Sequence, residues 1–271
     1  AGGATSLQIV RPFRCGRILD WEGALSLLRL ALKALHPRRG RPPLALAVAA
    51  DLSLVQRRAW KQLAQEAGAG ETRLFESPLC AAYGCGCDVS RPLGRAVLHW
   101  GGSTFDVGLL AGGQVLYGES VALGGLDLDL AVERAVRKHH GLLISPVQAE
   151  EVKCQLLSAL NQDQGSTMDL TGFGVIDGLP RSLQLSQQSM QGTVEPFLLQ
   201  VREVVLRLLS QATPEVCGDI LQEGLWLCGG SSQLRGLQGF IEQISGLRVL
   251  PVEKPEQAAI RGLSEWIRLN N

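Results

Sequence analysis

Apolar positions along this chain recur in two rhythms, one of helices and one of strands. Leu7 to Val10 reads as a short strand ending at Arg11-Pro12. Trp21, Ala24, Leu25, Leu28, Leu32 and Leu35 then fall at i, i+3, i+4, i+7, i+11 and i+14. That spacing predicts one core-facing stripe of an amphipathic helix, stopped in the Pro37 region. Leu44 to Ala50 is a continuous apolar run of strand length, which predicts a strand covered on both faces. Ser53 is placed to cap a helix with Val55, Ala59, Leu63 and Ala67 inward, closed by Gly68 and Gly70. With a strand at Arg73 to Phe75 this makes a strand-helix-strand crossover and a parallel pair. Pro78 suits the first turn of the next short helix.

From 95 to 123 three strands follow with only short turns, an antiparallel meander. A helix over 127 to 140 turns Leu128, Ala131, Val132, Ala135 and Val136 inward and ends at Gly141, a second helix spans roughly 146 to 160, and the polar run Asn161 to Thr167 is a loop. Residues 168 to 185 predict two small strands around Asp177-Gly178, and Val194 to Leu209 a long helix. A strand at 224 to 228, a helix from about 232 to 244, a strand from Arg248 to Val252 and a helix from about 255 complete the chain.

The stretch that organises the rest is Val97 to Leu110, two apolar strand halves joined by Gly101-Gly102-Ser103-Thr104. Glycine admits the positive φ of a tight turn that exposes successive N–H groups, a phosphate cradle in principle and an empty hairpin in the plain reading. Two further glycine pairs, Gly124-Gly125 and Gly229-Gly230, also follow apolar strands. Three such junctions suggest loops converging on one cleft.

Composition narrows the field. At 271 residues the chain can bury a large core. Its 26 Lys and Arg balance 26 Asp and Glu, so a nucleic-acid partner is not indicated. The basic cluster His36 to Arg41 reads as a solvated loop. Seven cysteines lack paired metal spacing and fit reduced core thiols, the Cys80, Cys85 and Cys87 group included. No apolar run is long enough to span a bilayer. A cytoplasmic setting is expected.

On these motifs the chain resembles a family. L-x-E-x-P-x-x-A-A-x-G at 74 to 84, the G-G-S-T hairpin, V-A-L-G-G, A-E-E-V-K at 149 to 153 and L-C-G-G-S at 227 to 231 are similar, in this order, to the actin and DnaK-chaperone superfamily. Within it the nearest resemblance is to MreB, the bacterial actins, through Ile9-Val10-Arg11-Pro12, Gln56-Arg57-Arg58-Ala59, Gly178-Leu179-Pro180-Arg181 and Ala259-Ile260-Arg261-Gly262. The resemblance implies an α/β chain with the actin-like ATPase fold, ribonuclease H-like duplicated domains, and ATP with Mg²⁺ between them. It implies a partial domain I at 1–93, a domain II at 94–252 with an inserted subdomain at about 127–190, and a C-terminal helix at 253–271 packing back on domain I.

Carried over residue by residue, the resemblance assigns phosphate binding to Gly101, Gly102, Ser103 and Thr104. It assigns the adenosine side to Gly124, Gly125, Glu150, Lys153, Gly229, Gly230 and Ser231, and water positioning to Glu76. Read without the family, Glu150 and Lys153 are a surface ion pair at i and i+3, and Glu76 is an acid at a helix N-terminus. The pattern also departs from the family. His99 stands where the family places the aspartate that acts on Mg²⁺, a hard cation that prefers oxygen, and Leu126 replaces a second aspartate. In the plain reading His99 is a core residue hydrogen-bonded at a strand end. The first phosphate loop and subdomain IB, which precede I-R-P in MreB, have no counterpart before Ile9. The expectation is therefore no metal ligand, weakened nucleotide binding and weakened or lost hydrolysis.

Three functions remain open at this point. One is an MreB-like filament or scaffold protein of cell morphogenesis with impaired hydrolysis, self-associating and meeting morphogenesis proteins at the inner face of the membrane. The second is an active ATP-dependent filament. The third is a fragment of a DnaK-type chaperone ATPase, suggested by G-G-S-T-F-D-V at 101 to 107.

Overall fold

The computed structural model describes residues 10–36, 40–160 and 165–269. All of the expected Leu7 to Val10 strand except Val10, which is in no strand, lies outside the described residues, as do the Pro37 stop and most of the 161–167 loop. A small hairpin, β1 (Phe13–Arg14) and β2 (Arg17–Ile18), leads into α1 (Trp21–Leu35). A second unit follows: β3 (Leu44–Val48), α2 (Leu54–Ala67), β4 (Thr72–Glu76) and α3 (Ser77–Gly84). β3 and β4 pair in parallel, with Leu46 opposite Leu74. α2 opens with a reciprocal cap, in which Ser53 Oγ accepts from the Gln56 N–H and Gln56 Oε1 accepts from the Ser53 N–H.

The larger part starts with the meander β5 (Arg95–Trp100), β6 (Phe105–Ala111) and β7 (Gln114–Val121). Next come α4 (Gly125–His140), β8 (Leu142–Leu143), α5 (Pro146–Leu156), β9 (Thr167–Gly174), β10 (Pro180–Ser186) and α6 (Gln187–Ser210). The chain closes with α7 (Pro214–Glu223), β11 (Leu225–Cys228), α8 (Leu237–Ser245), β12 (Val249–Leu250) and α9 (Ala258–Leu269). β12, β11, β5, β6 and β7 form one mixed sheet in that order, parallel from β12 to β5 and antiparallel beyond. β10, β9 and β8 form a separate antiparallel sheet. The main core lies between the five-stranded sheet and α4, α6 and α8, around Trp100, Phe105, Val132, Val201 and Ile241.

Several expectations need correction. The α1 stripe is buried only at Ala24 and Leu25, and Leu35 is exposed. β3 is not covered on both faces, since Ala47 is exposed. Val55 points to solvent, and the inner side of α2 carries Leu63 and Ala64. All three differences have one cause: among the described residues the β3–β4 sheet has two strands, too little surface to cover both its own faces and two helices. α5 stops at Leu156 rather than near 160, and α8 begins at Leu237 rather than 232. α7 was not anticipated, although Thr213 capping it and Pro214 in its first turn are a standard start signal.

α9 returns to the early part of the chain and crosses α3 at two glycines. A Cβ on Gly84 would overlap the Ala258 carbonyl, and one on Gly262 the Cys80 carbonyl. Trp266 stacks obliquely on Phe75, ring centroids 4.4 Å apart. Because backbone rather than a flexible side chain blocks the way, Gly262→Ala must push the helices apart. The expected loss is on the order of 3 kcal/mol, read as a lower urea midpoint with an unchanged slope.

Candidate nucleotide pocket

The three glycine pairs meet. Gly101 to Thr104 joins β5 to β6 and is closed by the Gly101 N–H donating to Thr104 O at 2.8 Å. Gly124 caps α4, its N–H donating to Asp127 Oδ2 at 2.9 Å. Gly229, at φ +91°, turns the chain out of β11 into a short turn at Gly230–Gln233. The Gly125 N–H donates to Gly101 O at 3.1 Å, the Leu126 N–H to Gly102 O at 2.8 Å, and Ser231 Oγ to Gly101 O at 2.9 Å. The loops touch backbone to backbone, so that a Cβ on Gly124 would overlap Gly102 O and one on Gly229 would overlap Trp100 O.

Against this seam lies a pocket of about 480 Å³, lined by Gly102, Gly125, Asp129, Glu150, Lys153, Cys154, Gly230 and Ser231 among others. Its size is that of a small-molecule site. Six of the expected residues line it. Gly101, Gly124 and Gly229 build its walls through backbone contacts, and the hydroxyls of Ser103 and Thr104 are engaged elsewhere. Ser103 Oγ accepts from the Cys15 N–H at 3.2 Å and Thr104 Oγ1 donates to Asp106 Oδ2 at 2.9 Å. The N–H groups of Gly102 and Ser103 have no acceptor among the described residues. They are the donors left for an anion at this seam.

Lys153 does not pair with Glu150 as the i, i+3 spacing predicts. Its Nζ turns inward to Asp129 Oδ1 at 2.8 Å and to Gly125 O at 3.4 Å. Asp129 is only 7% exposed. Burial raises its carboxyl above the usual range, and Lys153 opposes that rise. Glu150 is thereby left without an ion pair among the described residues, an acceptor facing the pocket.

His99 and Glu76 do not line the pocket. His99 Nδ1 sits 3.5 Å from Asp106 Oδ2. Asp106, 2% exposed, also accepts from Thr104 and, through a short bond, from Ser120, whose Oγ accepts from the Ala50 N–H at 3.0 Å. Both carboxylate oxygens of Asp106 thus accept from side chains of the same meander. The N–H groups of Gly102 and Ser103 fit an anionic group such as a nucleotide phosphate. Among the described residues no group of three or more His, Cys, Asp or Glu side chains could hold a metal. Glu76 Oε1 accepts from Arg57 Nη2 at 2.7 Å, which fixes its carboxylate at the start of α3.

Sequence reasoning missed Asp106, Asp129, Ser120, Arg57 and Cys15. Two had a readable signal. Asp106 is the one charge in an otherwise apolar strand, and Asp129 lies four residues past Gly125, one helical turn along the same face.

A family model described as MreB/Mbl protein matches residues 3–270. The chain belongs to the MreB/Mbl family. Cell shape-determining protein MreB of Escherichia coli (strain K12) is 31% identical over 260 residues, which cover 95% of this chain and 75% of that protein. Among solved structures, MreB5 of Spiroplasma citri bound to ADP is similar with a TM-score of 0.90 at 24% identity, covering 97% of this chain and 80% of that one. The MamK double helical filament gives a TM-score of 0.80 at 19% identity, covering 95% and 80%. At these identities the structures establish the fold, the actin-like ATPase fold expected from the motifs.

For this MreB/Mbl chain the Lys153–Asp129 pair makes a sharp prediction. Lys153→Met leaves a buried carboxylate uncompensated and is expected to cost about 3 kcal/mol near neutral pH. A raised carboxyl pKa means that the folded state holds its proton more tightly. The deficit should therefore shrink as pH falls through that raised value and grow as pH rises. Chemical denaturation of both proteins across that range measures it.

Proposed function

We propose that this chain is an MreB-type actin-like protein that holds an adenine nucleotide in this pocket and works by self-association in bacterial cell-shape determination, at the inner face of the membrane. The observation that carries this reading is the convergence of three glycine loops on one pocket beside Lys153. Similar proteins support it: one is named a cell shape-determining protein, one was solved with ADP and one as a double helical filament. The N–H groups of Gly102 and Ser103 hold phosphate, while Glu150, Lys153, Gly230 and Ser231 face the nucleoside. Bound ATP supplies a transferable phosphoryl group. Residues 1–93, 94–252 and 253–271 act as one domain, a second domain and a helix tying the two together.

Hydrolysis is weakened in this reading, because His99 offers a nitrogen where a carboxylate would order the magnesium shell. The carboxylate of Glu76, pinned by Arg57, favours a second reading in which residual water activation persists and the protein is an active ATP-dependent filament.

Thermal unfolding with ATP, with and without magnesium, tests the pocket. ATP at a hundred times its Kd should add ~2.7 kcal/mol, a rise of several degrees. Magnesium should add little to the wild type and clearly more to His99→Asp. No rise with ATP in either protein would count against the nucleotide reading. Pelleting at high concentration tests self-association, and a monomer that never sediments would count against it.

A further inference from the structure

Cysteines gather where the third glycine loop leaves the sheet. Cys85, Cys87 and Cys228 share one apolar core with Ala81, Val97, Leu110 and Ala258. Cys85 directly follows α3 and Cys228 is the last residue of β11, with more than half the chain between them. The segment that leads into α9 brings the two together. Gly84 lies so close to the Ala258 carbonyl that a Cβ there would overlap it. On the other side the Gly229 N–H donates to Pro255 O at 2.8 Å. The chain neighbour of each cysteine therefore rests on the same few residues, 255–258.

The side chains meet as well. Hydrogen bonding to the Cys85 thiol, with burial behind it, pushes the Cys228 thiol well above its ordinary range. Access separates the two thiols. Cys228 is 0% exposed, whereas Cys85 is only half-buried. Cys80 and Cys87 are buried too, and burial pushes their thiols up to about 12 and about 11. A buried neutral thiol is a poor nucleophile. An oxidant entering this core meets Cys85 first, with Cys228 standing behind it as the partner.

We propose that Cys85 and Cys228 are a modification site, forming a reversible disulfide when the protein meets a hydroperoxide and tying the end of α3 to the strand that carries Gly229 and Gly230. With hydrogen peroxide the Cys85 sulfur attacks one peroxide oxygen, the O–O bond breaks, and Cys85 becomes a sulfenic acid as one water leaves. The Cys228 sulfur then attacks the Cys85 sulfur, the S–O bond breaks, and the hydroxyl departs with the Cys228 proton as a second water. The two thiols together give up two electrons and two protons, and the peroxide takes them. A dithiol reductant reverses the bond by exchange. The disulfide closes a loop of more than half the chain, which restricts the unfolded state and raises stability. It also makes the third glycine loop move with α3. None of this depends on what the pocket binds.

Exposure of the reduced full chain to hydrogen peroxide, followed by alkylation in denaturant, proteolysis and mass mapping, tests it. A linked pair of peptides carrying Cys85 and Cys228 should appear, and dithiothreitol should abolish it. The oxidised wild type should show a higher urea midpoint than the reduced protein. Cys85→Ser should lower the linked fraction at least about tenfold and remove the midpoint shift, while Cys87→Ser should keep both. Cys85→Ser changes a half-buried side chain rather than a core one, and a reduced-state midpoint near that of the wild type shows that its fold is intact. Full alkylation of Cys85 and Cys228 after peroxide would overturn the proposal. So would a link that survives Cys85→Ser, or one that is lost in Cys87→Ser.

Discussion

The pocket exists because three loops can approach one another at backbone distance. Gly101 and Gly102 each give a carbonyl to the first turn of α4, and Gly101 takes a second donor from Ser231. The partners of these carbonyls, α4 and the turn after β11, come from segments more than a hundred residues apart in sequence. Any side chain at Gly124 or Gly229 would separate the loops. The five-stranded sheet fixes where the loops begin, since β5 and β11 run parallel and end at adjacent positions, Cys228 opposite His99. A packed, twisted sheet thus sets the geometry, and the glycines let the backbone use it.

The early part of the chain meets that seam through polar links. The Cys15 N–H reaches Ser103, the Ala50 N–H reaches Ser120, and Arg14 pairs with Asp127 at 2.6 Å. Cys15 sits at φ +51°, a conformation that costs a non-glycine residue energy and is held here by its neighbours. The apolar part of the connection is α3, packed through Ala81 and Ala82 against Val97, Leu110 and Cys228 of the large sheet and crossed by α9. Rigid packing lies on one side and adjustable polar contacts lie beside the pocket, an arrangement that places the compliant contacts where a ligand would sit.

Much of this was legible in the residues. The meander, the crossover, the cap at Ser53 and the hairpin around Asp177-Gly178 follow from spacing and turn chemistry, and the glycine pairs marked the loops that converge. What stayed hidden depends on three-dimensional neighbours. Lys153 has two acids within helical or spatial reach, and sequence spacing favours Glu150. The fold instead brings Asp129 closer, because α4 and α5 pack side by side. The exposure of Leu35 and Val55 was illegible for a related reason: an apolar stripe says which face would be buried, not whether a sheet wide enough to cover it is present. Asp106 was readable as a charge inside an apolar strand, but its three partners come from separate positions along the meander.

Nucleotide binding at the seam between the glycine loops is the proposal on which the rest depends. A crystal structure of the full chain grown with ADP tests it most directly. Density is expected for the diphosphate at the N–H groups of Gly102 and Ser103, with the nucleoside between Lys153 and Gly230. A well-ordered pocket without ligand density at millimolar ADP, or a nucleotide bound elsewhere on the molecule, would contradict it.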